Sequence, residues 1–102
     1  MGQAPRDMNV RYTQRAFADR DALFAYWLER NPPKAEQIVR DIKHRVAELG
    51  SPLAQGHPTD KAGLGVLWVT PHPYLVFYRI ERRAVFVITI RHTSQRPWSD
   101  EL

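Results

Sequence analysis

The segment from Tyr74 to His92, YLVFYRIERRAVFVITIRH, decides the architecture. Two runs of aromatic and β-branched residues, Tyr74 to Ile80 and Ala84 to His92, flank the charged triplet Glu81-Arg82-Arg83, which reads as a β-hairpin closed by a polar turn. A strand alternates its side chains between two faces. Tyr74, Val76, Tyr78 and Ile80 therefore share one side while Leu75 and Phe77 share the other, and in the second run Phe86, Ile88 and Ile90 oppose Val85 and Val87. Both faces of the expected sheet are apolar, as in strands buried on two sides.

Working outward, Leu64 to Val69 reads as a third strand, closed by Thr70-Pro71-His72-Pro73. Before it, Gly50 to Gly63 carries Pro52 and Pro58 and reads as a loop. The segment from Gln14 to Arg30 places Ala16, Phe17, Leu23, Phe24, Trp27 and Leu28 at helical spacing, with Thr13 as N-cap and Arg20 interrupting the apolar stripe. Asn31-Pro32-Pro33 ends this helix and starts a second, in which Ala35, Ile38, Ile42, Val46 and Leu49 repeat until Gly50. Met8, Val10 and Tyr12 alternate with polar residues as a short first strand would. The expected fold is α+β, in the order β-α-α-β-β-β, with a helical hairpin on one face of a small, mainly antiparallel sheet. Residues 1–7 read as a flexible arm, 8–98 as one domain and 99–102 as a tail.

A two-helix hairpin covers only one face of such a sheet. The second face must be exposed, dimerised, folded under the long loop or covered by another chain, and the last of these motivates a partner. The charge fits an anionic partner or, equally, a solubilising surface. Between Tyr74 and Trp98 stand five arginines against Glu81, which equals the formal net charge of +4 for all 102 residues. No apolar run reaches the length of a membrane span, and the absence of cysteine removes disulfide scaffolds, thiol nucleophiles and cysteine zinc sites. His44, His57, His72 and His92 show no metal-ligand spacing, so neither metal nor cofactor is expected. Metal-free RNA cleavage would need a base, an acid and cations, a set that only His92 with Arg91 and Arg96 offers. Strand alternation sets Arg91 and His92 on opposite faces, and a lone histidine at a strand end also serves as a simple hydrogen-bonding residue. Trp98, among polar residues, reads either as a contact anchor or as a cap folded back on the core.

The segments NVRYTQRAFADRDALFAYWLERNP (9–32) and HPYLVFYRIERRAVFVITIRHTSQRPW (72–98), together with the element order, resemble the RelE/ParE superfamily of toxins from bacterial type II toxin-antitoxin modules. The resemblance spans residues 8 to 98. It implies a cytoplasmic toxin of the kind tied to plasmid stabilization, held inactive in a hetero-oligomer by the C-terminal segment of a cognate antitoxin. RelE-like members cleave ribosome-bound messenger RNA with basic side chains and often a tyrosine or histidine; ParE-like members inhibit DNA gyrase and lack that set. Here Leu75 stands where RelE-like nucleases typically carry an arginine, and the loop before Leu64 offers only Lys61. The ending from His92 to Trp98 resembles the ParE-like branch. Two positions depart from that branch: Arg20 occupies a place usually apolar, and KAGLGVLWV lacks the Arg-Glu pair that commonly opens its strand. The resemblance thus implies a ParE-like inhibitor with no catalytic residues of its own, contacting its target through Arg91, Arg96 and Trp98. Its antitoxin would lie on Leu75, Phe77, Arg79, Val85 and Val87. The alternatives are a ribosome-dependent nuclease using His92, Arg91 and Arg96, and a non-toxic antitoxin-binding homologue.

Overall fold

The computed structural model describes residues 8–51 and 56–95. Five strands and two helices follow in the order β1 (Asn9–Tyr12), α1 (Gln14–Arg30), α2 (Pro32–Glu48), β2 (His57–Pro58), β3 (Leu64–Trp68), β4 (Tyr74–Glu81) and β5 (Ala84–His92). The sheet order is β1-β5-β4-β3-β2, and only the β1–β5 pair is parallel. The α+β architecture expected from the sequence is the one observed. The two-residue β2 is an addition: within what reads as a loop, His57 and Pro58 pair with Val66 and Gly65 at the sheet edge.

Local chemistry sets the helix boundaries. Thr13 accepts a hydrogen bond from Ala16 N at 3.1 Å, and Asn31 accepts one from Lys34 N at 3.2 Å, so each helix begins on a side-chain cap worth about 1 kcal/mol. The helical hairpin covers one sheet face. Ile38, Ile42 and Val46 of α2 pack with Leu23 of α1 against Leu67, Val76, Val85, Val87 and Ile90.

Strict alternation breaks once. Phe77 lies opposite Thr89 but Tyr78 lies opposite Val87, which leaves Ile88 as an extra residue in β5. This bulge carries Ile90 to the helix side, with Val87, correcting the grouping of Ile90 with Phe86 and Ile88. Helix α1 satisfies the disturbed backbone. Thr13 Oγ1 donates to the Ile88 carbonyl at 3.1 Å, while Asp19 accepts from Thr89 Oγ1 at 2.6 Å and from Ile90 N at 3.0 Å.

Three further details depend on tertiary context. Arg20, which interrupts the apolar stripe, lies over the rings of Tyr12 and Phe17 at 4.6 and 4.7 Å, so its cation covers aromatic surface. Tyr78 fits beneath Gly65, where a Cβ would stand 2.4 Å from the ring carbon Cζ. Arg82 and Arg83, at the tip of the β4–β5 hairpin, hold φ of 48° and 64°. A two-residue hairpin turn of this hand requires positive φ at both positions, at a cost of about 1–2 kcal/mol for each residue with a Cβ.

Candidate functional surface

The face of the sheet opposite the helices carries alternate residues of the three long strands. In register across it run Trp68, Leu75 and Arg91, then Val66 and Phe77, then Leu64 and Arg79 with Phe86 and Arg11 beyond. Trp68 is 57% exposed and Arg79 and Arg11 are exposed, while Val66, Leu75, Phe77, Phe86 and Ile88 are half-buried. At the Trp68 end the face runs into a nearly apolar groove of about 410 Å³ between Thr70, His72, Pro73, Leu75 and Thr93. A hydrogen bond secures this end of the sheet: His72 Nε2 lies 2.7 Å from Asp41 Oδ2 on α2. The surface therefore combines an apolar centre with guanidinium groups at both ends.

Leu75, Phe77 and Arg79 lie on this face. Val85 and Val87 do not. Both are fully buried among the helices, so the expectation that they offer docking surface is corrected: they share the helix-covered face with Val76, and Phe86 and Ile88 take the outward positions of β5. Sequence reasoning also missed Trp68 and Arg11 as parts of this face. Alternation from buried Leu67 points to Trp68, but Arg11 joins the surface only through the parallel pairing of β1 with β5, which no local pattern reveals.

His92 belongs to the other side, at the mouth of a second groove of about 490 Å³ between α1 and the ends of β4 and β5. Its lining includes Asp19, Tyr26, Trp27, Tyr74, Ser94 and Gln95. Trp27 Nε1 donates to the Tyr74 hydroxyl at 2.9 Å, and the Tyr74 ring meets His92 edge-on with centroids 5.3 Å apart. Ser94 N donates to His92 Nδ1 at 3.0 Å and Ser94 Oγ lies 2.7 Å from the same nitrogen. The backbone N of His92 donates to Gln95 Oε1 at 2.6 Å, closing the turn that ends the strand.

Arg91 and His92 thus lie on opposite faces, Arg91 beside Leu75 and His92 beside Tyr74. Arg96 and Trp98 lie outside the described residues. Two of the three nuclease candidates are accordingly directed away from each other.

This fold has counterparts among known proteins. The family described as "ParE toxin of type II toxin-antitoxin system, parDE" matches residues 10–97. The chain belongs to this family. It is 31% identical over 87 residues to the Sinorhizobium fredii protein Y4kP, covering 85% of this chain and 90% of that one. Among solved structures, the chromosomal ParDE toxin-antitoxin system of P. aeruginosa superposes with a TM-score of 0.75 at 25% identity, over 83% of this chain and 95% of that chain. The RelBE2 toxin-antitoxin complex of Mycobacterium tuberculosis follows at 0.63 and 20% identity, over 92% and 100% of the two chains, and shares the fold. Membership in the ParE family makes this chain a toxin-family protein of the type II class.

Proposed function

We propose that this ParE-family chain acts in the cytoplasm by binding and inhibiting DNA gyrase, and that an antitoxin segment laid on the open sheet face neutralises it. One observation carries the choice of inhibitor over nuclease: Arg91 and His92 project from opposite faces, so a cation and an acid-base group do not meet at one site on this strand. An inhibitor that works by protein contact needs a surface and no acid-base pair. The likeness to the P. aeruginosa ParDE system supports both the branch and the antitoxin partner. An amphipathic, acidic segment suits a face with apolar Trp68, Leu75 and Phe77 between Arg91 and Arg79. Such a segment would also cover Arg91, one of the residues proposed to meet the target, so neutralisation follows from masking.

The test is induced expression of the chain without antitoxin. DNA damage with filamentation, inhibition of gyrase supercoiling by the purified chain, and toxicity that survives His92→Gln are the expected results. Cleavage of ribosome-bound messenger RNA that disappears in His92→Gln would overturn the reading in favour of a nuclease. Growth unaffected at high expression would favour a non-toxic antitoxin-binding homologue.

A further inference from the structure

The turn between β4 and β5 is made from residues poorly suited to its backbone. Both central positions have positive φ, for which Asn-Gly is the ordinary choice, yet they hold Arg82 and Arg83. Neither arginine has an ion-pair partner among the described residues, and the same is true of Arg11 on the neighbouring edge strand. The three stand around one shallow depression of about 730 Å³, with Asn9 and Phe86 in its walls and Glu81 as its single acid. Backbone strain and like-charge repulsion are thus concentrated at one corner with no compensating ion pair among the described residues, the pattern expected where the compensation comes from a bound partner.

We infer that this corner, formed by Arg11, Arg82 and Arg83, is a binding site for the phosphate backbone of duplex nucleic acid. Guanidinium forks match phosphate oxygens in pairs, and Asn9 adds a neutral amide for hydrogen bonding. An acidic peptide is the less suitable occupant. A peptide must recover its ordering cost through apolar contacts, and this depression offers little apolar surface besides Phe86. A duplex is already ordered and presents closely spaced charges, so a few arginines suffice. The corner lies beyond the Trp68–Leu75–Phe77 surface given to the antitoxin, and the inference does not depend on gyrase being the target.

The test is fluorescence anisotropy of a labelled 20-base-pair duplex of arbitrary sequence with the purified full chain, between 50 and 200 mM salt. Two to three phosphate contacts predict a slope of log affinity against log salt of about −2 to −3. Replacing the turn, Arg82→Asn with Arg83→Gly, should bring that slope about 2 nearer zero and weaken binding roughly tenfold at 100 mM salt. The same variant should melt about 5 °C higher, because the new residues accept the backbone without strain. Removing two cations elsewhere, Arg40→Gln with Lys43→Gln on α2, should leave the slope unchanged. The inference falls if the turn variant keeps the full slope, if the α2 variant loses as much, if the turn variant melts lower, or if a polyglutamate peptide competes as well as the duplex.

Discussion

The two faces of one sheet have been put to different uses. On the helix side, Val76, Val85 and Val87 have no exposed surface and meet Ile38 and Ile42, which have none either. On the other side, Leu75, Phe77 and Phe86 stay half-buried and Trp68 is 57% exposed. Both sets are apolar, so composition alone does not separate them. Their surroundings do: buried valines and isoleucines fill a closed volume in which every methylene has neighbours, whereas the open face mixes large rings with Arg11, Arg79 and Arg91. The first arrangement stabilises the fold. The second keeps apolar area in reach of a partner, which is where an exposed patch of this kind finds its use.

Truncating one residue on each side separates the two roles. Ile42→Ala, in the closed core, should cost about 3–4 kcal/mol in urea unfolding of the isolated chain. Phe77→Ala, on the open face, should cost under about 1.5 kcal/mol there while greatly weakening capture by antitoxin. Equal costs would mean that the two faces are equally structural. Almost as large an effect is expected at the bulge that sorts β5 between the faces. Asp19→Ala removes the acceptor for Thr89 Oγ1 and Ile90 N, and Thr89 is only 1% exposed, so two donors lose their partner and about 2–3 kcal/mol should be lost. Amide exchange at Ile90 should accelerate in that variant. Unchanged protection would show that the bulge holds without α1.

Gly65→Ala probes the closed face from the strand edge. The added Cβ would stand 2.4 Å from Tyr78 Cζ, and the ring cannot retreat because it is itself buried. A loss of about 1–3 kcal/mol is expected from this overpacking, partly recovered when Tyr78→Leu vacates the space. A neutral Gly65→Ala would show that the ring has room to move.

These sites also mark the limit of sequence reading. The helices were legible because three-and-four spacing of Ala35, Ile38, Ile42 and Val46 is a local pattern, and because Thr13 and Asn31 cap within their own turn. Likewise the hairpin from Tyr74 to His92 announces itself through two apolar runs and a polar break. The assignment of Val85 and Val87 to the open face failed for a definite reason. Which face a hairpin residue takes is set by its turn, and the two-residue turn at Arg82 and Arg83 puts Val85 opposite Ile80 and Val87 opposite Tyr78, on the helix side. The bulge at Ile88, held by Thr13 and Asp19 some seventy positions away, then moves Ile90 to that side as well. Arg20 was an anomaly in its stripe because the rings of Tyr12 and Phe17 that accept its cation come from two elements. Short β2 has too few residues to show any period. Contacts made across the chain were invisible wherever they overrode a local rule.

The smallest expected effect tests how tightly the closed face is sealed at its margin. Tyr12, on edge strand β1, packs against the core and its hydroxyl is buried without a hydrogen-bond partner among the described residues. Burial raises its pKa above the ordinary 10.0, and the Arg20 guanidinium beside it offsets part of that rise. A phenol whose pKa is higher folded than unfolded leaves stability independent of pH below about 10 and makes it fall as pH rises from there through the folded value, because the ionised form is disfavoured in the fold. Removing the hydroxyl by Tyr12→Phe should therefore change stability at pH 7 by under about 1 kcal/mol, in the stabilising direction, because no hydrogen bond is lost and a desolvated polar group disappears. Between pH 9 and about 11.5, the urea midpoint of the variant should decline less steeply than that of the parent. Tyr78, whose pKa is also raised by burial, leaves a residual decline in both. Parallel curves for parent and variant would mean that water reaches the Tyr12 hydroxyl, and that the seal between β1 and α1 is looser than the packing of Arg20 over these rings implies.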